Sequence, residues 1–389
     1  MKETIRLFDR DGYATEFEAC VLSCEKKEEN YEIVLDQTLF FPQEGGQSPD
    51  RGRLENREVQ DVQIRQGIIY HTLSQPLVEG QKVKGKISWE YRFSNMQQHS
   101  GEHIFSGTVH RLFGLNNVGF HLSDQIVTMD FDGPLTSQQL ETVEWEVNKA
   151  VAENLEVQVS YPTEAELQTL EYRSKIEIEG QVRIITIPGY DVCACCAPHV
   201  RRTGEIGLVK MMTVQNHKGG VRVSILCGFR ALKAFREKSR IISALTASLS
   251  TNQETIPGQV EKIKNRVYTL NMQLAAAKQK LLAYHLAELP LEEENVLCFE
   301  TGLETTVVRN AVNALMEKHS GYCGIFVEKE EGGYRFILGS KHRDCQLLAQ
   351  TLKSKLKAKC GGSERMIQGS LEAARNKVEE VIAMISEER

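Results

Sequence analysis

The sequence predicts an α+β chain built as a small β-barrel, an α+β domain with metal ligands, a helical linker and an α/β domain. Residues 1–90 alternate apolar and polar side chains with period two between glycine-containing turns. Residues 91–228 mix helical and strand patterns and contain two pairs of histidine and cysteine. Residues 229–289 carry a helical heptad pattern, and residues 290–389 return to mixed patterns. At 389 residues the chain is long enough for two or three domains that each bury a core.

Short strands are expected in the first region, from Phe17 to Cys24 and from Tyr31 to Asp36. Turns such as Glu44-Gly45-Gly46 separate such strands, because glycine adopts positive φ without strain. Strands at this spacing indicate a small barrel or a curled sheet.

The middle region is predicted to begin with a helix from Tyr91 to Phe113, followed by a strand from Val127 to Phe131. A second helix, from Thr136 to Glu153, has Thr136 as its N-cap and an apolar face. Four further strands are expected, at Glu156–Val159, Val182–Ile187, Ile206–Thr213 and Gly220–Cys227.

The linker is predicted to be helical, with a break at Thr255–Gly258. Its apolar positions alternate at spacings of three and four, which favours a helical hairpin or a short coiled coil. These positions are Val260, Ile263, Val267, Leu270, Leu274, Ala277, Leu281 and Tyr284.

The last region is predicted to contain three strands, three helices and a glycine-rich loop. The strands are Asn295–Phe299, Cys323–Glu328 and Tyr334–Leu338, and the first two helices are Asn310–Lys318 and Asp344–Lys357. The loop begins at Cys360, and the final helix is expected from Gly369 to Ile385.

Two short motifs carry the chemistry. His99 and His103 are four residues apart, so that a helix places them on one face. Cys195 and His199 have the same spacing and offer a thiolate and an imidazole. Together the four side chains match the tetrahedral shell that zinc prefers. The structural alternatives are core or solvated histidines and buried or redox-active thiols, although no thioredoxin-like pattern accompanies them.

The first motif also fits the inverted zincin pattern H-x-x-E-H, in which Glu102 acts as the base of a metallopeptidase. That class uses a downstream glutamate as its third ligand, whereas the downstream candidate here is Cys195. Thiolate ligation is unusual for such peptidases, so the peptidase is the runner-up hypothesis.

The formal net charge of −6 excludes a globally basic nucleic-acid coat protein, so any contact with nucleic acid needs a local basic patch. The N-terminal residues lack the apolar segment of a signal peptide, and no run of about eighteen apolar residues suggests a membrane span. We therefore expect a cytoplasmic protein whose ten cysteines are reduced.

Over nearly its whole length the chain resembles the alanyl-tRNA editing proteins of the long AlaX type. Phe40–Gln47 resembles the glycine-rich loop of that family, although Glu44 stands where the family has the first of three glycines. The two metal motifs resemble its zinc motif, and Thr203–Gly207 resembles the segment that follows. The heptad linker and Cys360–Gly362 resemble the C-terminal DHHA1 domain of alanyl-tRNA synthetase.

The resemblance implies a zinc-dependent editing hydrolase that deacylates tRNA(Ala) mischarged with serine, and also with glycine. It implies zinc ligation by His99, His103, Cys195 and His199, and a catalytic site that includes Gln47. The chain has no room for a synthetase catalytic core, so we expect it to act in trans without charging tRNA. The non-enzyme alternative is a tRNA-binding protein whose zinc is structural.

Selectivity for serine over the smaller alanine requires a polar contact rather than a steric sieve. The resemblance assigns this contact to Thr38. Phosphate contacts are expected from basic side chains near the second metal motif and before the C-terminal loop. These are Arg201, Arg202, Lys210, Lys218, Arg222, Lys353, Lys355, Lys357 and Lys359. The linker or the last domain is also expected to support a homodimer.

Overall fold

The computed structural model describes residues 2–174 and 181–387, and it has the predicted mixed α+β fold class. The chain forms two compact units, the first ending at Ala244 and the second beginning at Leu245. The division into domains at 1–90, 91–228, 229–289 and 290–389 stays a prediction. Among the described residues, none of the helices is both long and apolar enough to cross a membrane.

Six strands of the first unit form a closed barrel in the order β2-β3-β7-β6-β5-β8. Side chains that alternate along these strands fill it, as in β2, where Phe17, Ala19 and Val21 are buried. The elements of this part are β1 Ile5–Arg6, α1 Leu7–Arg10, β2 Glu16–Lys27, β3 Asn30–Leu35, β4 Gln37–Thr38, β5 Gly52–Leu54, β6 Arg57–Arg65, β7 Ile68–Leu73 and β8 Lys82–Ile87.

The rest of the first unit packs helices on two antiparallel sheets, ordered β14-β15-β10-β9 and β11-β12-β13. The elements are α2 Trp89–Phe113, β9 Asn117–Leu122, β10 Val127–Phe131, α3 Ser137–Glu153, β11 Gln158–Ser160, α4 Glu164–Leu167, β12 Ile184–Ile187, β13 Asp191–Ala194, β14 Val209–His217 and β15 Gly220–Cys227.

Both helices predicted for this region are confirmed. Helix α2 ends at Gly114, which has the positive φ of 69° that a left-handed cap requires. Helix α3 begins with the predicted Thr136 cap, completed into a capping box by Gln139. One strand prediction began too early: Ile206 lies in a 3-10 turn, Thr203–Ile206, and β14 begins at Val209.

Two long helices follow, α5 from Gly228 to Leu249 and α6 from Ile256 to Glu288, with a 3-10 turn at Gln253–Thr255 between them. The predicted break is therefore placed too late, because Pro257 lies within the first turn of α6, where proline is tolerated. The apolar heptad positions of α6 are largely exposed, and Leu282 is the buried residue of this helix.

The second unit continues with a five-stranded sheet ordered β16-β17-β18-β20-β19. Its core includes Phe326, Leu338 and Leu348. The elements are β16 Val296–Thr301, α7 Thr305–Met316, β17 Cys323–Glu328, β18 Tyr334–Gly339, α8 Cys345–Leu356, β19 Lys359–Gly362, β20 Met366–Leu371 and α9 Arg375–Glu387.

The prediction for the C-terminal end of the chain is wrong in one place. The expected loop at Cys360 and the start of the expected final helix at Gly369 form the hairpin β19–β20, in which Cys360 pairs with Gly369. Strand β20 also pairs with β18, and this long-range pairing overrides the local helical pattern. The final helix therefore begins at Arg375.

Candidate metal centre

The four predicted metal ligands converge on one point in the first unit. His99 and His103 lie in the stretch of α2 from Asn95 to Val109, all of which is buried, with 3% and 2% of their surface exposed. Cys195 directly follows β13, and His199 lies in the segment after it. One potential ligand atom from each of the four residues lies within 4.8 Å of the others.

The distances within this cluster suit a tetrahedral ion. Cys195 Sγ lies 3.5 Å from His99 Nε2 and 3.4 Å from His199 Nε2. A tetrahedral zinc with ordinary zinc–sulfur and zinc–nitrogen bonds would separate those atoms by about 3.6 Å. The donor set of one thiolate and three imidazoles is also one that zinc accepts, so the residues fit the ion.

The Nδ1 atom of each histidine contacts a side chain outside the cluster. His99 Nδ1 lies 2.7 Å from Gln47 Oε1, and His103 Nδ1 lies 2.8 Å from Asp191 Oδ2. His199 Nδ1 lies 3.0 Å from Ser100 Oγ. With its proton on Nδ1, each ring donates to its outer partner, so Nε2 is free to bind a metal.

Burial and neighbouring charges shift the ionisation of these groups. Burial alone raises the pKa of the Cys195 thiol, but the surrounding histidines outweigh it and hold that pKa well below its usual value. Burial lowers the pKa of His199 to about 3. Burial also acts to lower the pKa of His103, but hydrogen bonds to Asp191 and Cys195 raise it to about 9. The cluster therefore favours a thiolate, the form that binds metals.

Asp191 is a part of the site that the sequence reading missed. Its carboxylate accepts from His103 and also from Arg173 Nε and Nη2, at 2.7 and 2.9 Å. These partners lower its pKa against the opposing effect of burial. Asp191 and Cys193 are both buried on β13, and Cys195 continues the same period of two. This alternation in the sequence could have indicated that Asp191 lies on the same side of the strand as Cys195.

Gln47 lies beside the candidate ligand His99, at the end of the glycine-rich turn. Its side chain is 1% exposed and accepts from His99. The turn requires its glycines: Gly45 and Gly46 have φ of 60° and 81°, and a Cβ on Gly46 would lie 2.6 Å from Phe120 O. The ring of Phe120 is in turn 4.9 Å from that of His99.

Thr38 is buried and already hydrogen-bonded within the barrel region. Its Oγ1 lies 2.9 Å from His71 Nε2 and accepts from the Phe40 backbone N–H at 3.1 Å. Because His71 Nδ1 faces the Ile33 carbonyl oxygen at 3.2 Å, Nδ1 carries the ring proton and Thr38 donates to Nε2. One lone pair of Oγ1 remains for a further donor.

Glu102 does not belong to the cluster of four ligands. Its Oε1 accepts from Ser106 Oγ at 2.7 Å and from Asn117 Nδ2 at 2.6 Å, and the residue is 1% exposed. This carboxylate is therefore buried and hydrogen-bonded to two neighbouring side chains.

The other thiols near the centre differ from Cys195. Burial raises the pKa of both Cys193 and Cys196, which keeps them protonated. Cys193 belongs to a second cluster with His103 and Asp191, but the Asp191 carboxylate in it is already paired with Arg173.

The predicted phosphate-binding side chains are scattered over both units, and several are paired. Arg201 contacts Asp11 at 3.1 Å and lies over the ring of Tyr13. Arg222 pairs with Asp130 at 2.6 Å. Exposed positions include Lys218, in the turn between β14 and β15, and Lys357 and Lys359, which flank the start of β19. Arg202 Nε donates to the Asn154 carbonyl oxygen, and Lys210 pairs with Glu144.

Two family models match parts of the chain. Residues 182–224, which include Cys195 and His199, match the threonyl and alanyl tRNA synthetase second additional domain. Residues 14–91 match the class II (A) tRNA synthetases.

Relatives of the chain extend over most of its length. The alanyl-tRNA editing protein AlaX-L of Pyrococcus horikoshii is 27% identical, over 95% of each chain. The alanyl-tRNA editing protein Aarsd1-B of Xenopus laevis is 30% identical, over 77% of this chain and 81% of its own. An alanine–tRNA ligase of Ignicoccus hospitalis is 29% identical over 73% of this chain, which covers 32% of the ligase. The chain belongs to the family of alanyl-tRNA editing proteins.

Proposed function

We propose that this chain is a zinc-dependent trans-editing enzyme that hydrolyses Ser-tRNA(Ala) and Gly-tRNA(Ala). Its family identifies it as an aminoacyl-tRNA deacylase, an ester hydrolase. The match over 95% of the AlaX-L relative supports action in trans, without aminoacylation. The observation that carries the proposal is the convergence of His99, His103, Cys195 and His199 within one cluster.

Zinc at this centre would be held by the Cys195 thiolate and by the Nε2 atoms of the three histidines. When bound, zinc supplies positive charge that polarises an ester carbonyl or acidifies a water molecule. The protein supplies the orientation: Gln47, Asp191 and Ser100 fix the outer nitrogens of the histidine rings. If all four ligands bind at once the shell is closed, and the ion then organises the pocket for substrate.

Selection of serine over alanine is proposed to use Thr38. A serine hydroxyl would donate to the free lone pair of Thr38 Oγ1, whereas alanine offers no such donor. The fixed orientation of the Thr38 hydroxyl, between His71 and the Phe40 N–H, would make this an acceptor of defined direction. Glycine lacks the hydroxyl as well, so its hydrolysis would not depend on this contact.

The tRNA is proposed to be held by phosphate contacts from basic side chains of both units. Exposed lysines such as Lys218, Lys357 and Lys359 are the better candidates, because Arg222 is already paired with Asp130. Arg201 and Arg202 lie close in sequence to His199 and would act near the acceptor end.

The test is deacylation of Ser-tRNA(Ala), Gly-tRNA(Ala) and Ala-tRNA(Ala), with and without prior removal of metal by a chelator. We expect release of serine and glycine, little release of alanine, and loss of activity that zinc restores. Hydrolysis of all three at equal rates would contradict an editing function. Activity that survives full removal of metal would contradict the zinc dependence.

Two alternative functions can be distinguished from the proposed one by experiment. A metallopeptidase would need Glu102 as a base, and its bonds to Ser106 and Asn117 oppose that role. A tRNA-binding protein with structural zinc would bind tRNA(Ala) but leave the ester intact. Peptide hydrolysis would support the first rival, and binding without deacylation would support the second.

A homodimer and a cytoplasmic location remain parts of the proposal. The exposed apolar residues of α6, among them Val260, Ile263 and Val267, are the heptad positions that a coiled-coil partner would cover. The mass of the protein in solution, measured for the intact chain and for an Ile263→Glu variant, tests the dimer. A monomeric intact chain would contradict it.

A further inference from the structure

The glycine-rich turn beside the metal cluster carries two buried polar atoms without hydrogen-bond partners among the described residues. One is the acceptor Glu44 Oε2, and the other is the donor Gln47 Nε2. Gln47 is 1% exposed, so bulk solvent does not reach its amide. A buried, unpaired donor costs about 1–3 kcal/mol, so its retention points to a ligand.

The orientation of the Gln47 amide follows from its neighbour. When His99 Nε2 serves the metal cluster, His99 Nδ1 carries the proton and needs an acceptor. Gln47 Oε1 lies 2.7 Å from that nitrogen and is the acceptor. The Nε2 group of the same amide therefore points away from His99, with its N–H groups available.

The two residues that carry these atoms face each other across the turn. Glu44 and Gln47 form an antiparallel bridge, and the Gln47 backbone N–H donates to the Glu44 carbonyl oxygen at 3.1 Å. Side chains that face each other across such a bridge project from one face, with Cβ atoms about 5 Å apart. A donor and an acceptor are thus presented side by side.

This turn lies against the segment that supplies the thiolate ligand. A Cβ atom on Gly45 would be 3.6 Å from Cys196 Sγ, one residue after Cys195. Among the described residues Glu44 forms an ion pair with Arg6, whose Nη1 is 3.7 Å from Oε2. That separation is too long for a hydrogen bond, so the carboxylate retains acceptor capacity.

We propose that Glu44 and Gln47 form the subsite for the aminoacyl group, with Glu44 binding the α-ammonium and Gln47 Nε2 donating to the ester carbonyl oxygen. This assignment rests on the proposed deacylase function. An aminoacyl ester carries a cationic donor and a carbonyl acceptor separated by one carbon atom. The turn offers their complements at the edge of the metal cluster, and every aminoacyl-tRNA shares these two groups. The subsite therefore orients the substrate and leaves the choice between serine and alanine to other residues.

Two substitutions isolate the two contacts. Gln47→Glu keeps an oxygen for His99 but removes the N–H donor, so zinc content should stay near that of the wild type. Deacylation of Ser-tRNA(Ala) should nevertheless fall on the order of 10²–10³-fold in kcat, as for the loss of one oxyanion donor. Gln47→Met removes both functions and should lower zinc content as well. The exposed pair Glu58→Gln and Gln60→Glu, on β6, serves as matched controls.

Glu44 is tested by binding rather than by activity. The probes are a non-hydrolysable seryl amide of the 3′-terminal adenosine and the same compound without the α-amino group. Glu44→Gln should weaken binding of the seryl amide about tenfold and leave binding of the deaminated compound unchanged, because only the first carries the ammonium. Equal losses for the two compounds, or none, would overturn the role of Glu44.

The outcomes separate this inference from the proposed function. If the wild type binds the seryl amide but does not deacylate Ser-tRNA(Ala), the function is wrong while the binding comparison still decides the role of Glu44. If the wild type deacylates and Gln47→Glu matches Gln60→Glu in rate, the donor role of Gln47 is overturned. Zinc content reported beside each rate excludes loss of the metal as the cause.

Discussion

The candidate metal centre and the candidate tRNA-binding side chains were both predicted from short groups of residues, but the structure arranges the two groups differently. The four ligands come from segments about a hundred residues apart and meet in a buried cluster. The basic side chains lie at several separate places, and some are already neutralised by acidic neighbours such as Asp130 and Asp11. Each side chain of the buried cluster is explained only by the other three, whereas each basic side chain can be explained alone as an ordinary surface residue.

The difference is one of physical cost. Burying a thiol and three imidazoles together sacrifices their hydration, and a protein maintains such a cluster only if its members are paired or bind a metal. An exposed lysine has no unfavourable effect on the free energy of folding, so its presence alone says little about function. Perturbing the centre should consequently produce large, linked losses, and perturbing the surface should produce small, additive ones.

The largest expected effect is that of removing the proposed metal ligand Cys195. The purified wild type should hold about one zinc per chain, as a single tetrahedral site implies. Cys195→Ser should lose the bound zinc and reduce deacylation to background, because the thiolate contacts all three histidines. Metal analysis and Ser-tRNA(Ala) deacylation measure the two effects.

Cys196→Ser is the matched control for that experiment, since burial raises the pKa of Cys196 and keeps it a thiol. This variant should keep its zinc. If Cys196→Ser loses the metal and Cys195→Ser does not, the ligand assignment is reversed.

A smaller loss is expected from Asp191→Asn, which preserves shape but removes the charge that orients His103 and pairs with Arg173. Replacement of such an outer partner typically lowers metal affinity about 10–100-fold. Ser100→Ala should lower the zinc affinity less than Asp191→Asn does, because the group that contacts His199 is a neutral hydroxyl. Zinc affinity by competition with a chelator is the measurement. An affinity for Asp191→Asn equal to that of Asp132→Asn, an exposed control, would argue that Asp191 plays no part.

Thr38→Val tests the selectivity proposal and should act on two quantities. Loss of the hydroxyl leaves His71 Nε2 and the Phe40 N–H unpaired, which should lower the free energy of unfolding by about 1–3 kcal/mol. The ratio of Ser-tRNA(Ala) to Ala-tRNA(Ala) hydrolysis should fall on the order of tenfold. Thr72→Val, a half-buried neighbour on β7, is the control. Lower stability with an unchanged ratio would assign selectivity elsewhere.

Local patterns predicted the elements whose stabilising interactions are local. Helix α3 carries its own capping box at Thr136, and its buried residues recur at helical spacing from Leu140 to Ala150. The hairpin β19–β20 was missed because its strands are held by pairing with β18, which no local pattern reports. Pro257 was read as a break although it suits the first turn of a helix.

The same distinction applies to the centre. Spacing within each motif predicted the pairs His99–His103 and Cys195–His199, because a helical turn or a short loop brings such residues together, and the structure places the two pairs side by side. Asp191 and Ser100 escaped notice, since their contacts with His103 and His199 join distant parts of the chain. Gln47 was found through a family resemblance, and its contact with His99 came only from the structure.

The smallest effect is expected on the surface. The double variant Lys357→Ala/Lys359→Ala should weaken binding of tRNA(Ala) severalfold, because a protein that makes fewer phosphate contacts releases fewer counterions when it binds. The slope of log affinity against log salt should drop by roughly one for each lysine that contacts a phosphate. Arg222→Ala should change the slope less, since Asp130 already neutralises that guanidinium. Zinc content should stay unchanged in every case, because none of these side chains belongs to the cluster of ligands. Arg222→Ala could instead reduce the slope more than the double lysine variant does. In that case exposure and the absence of an ion pair would not predict which side chains contact tRNA, and Arg222 would be assigned to the tRNA-binding surface.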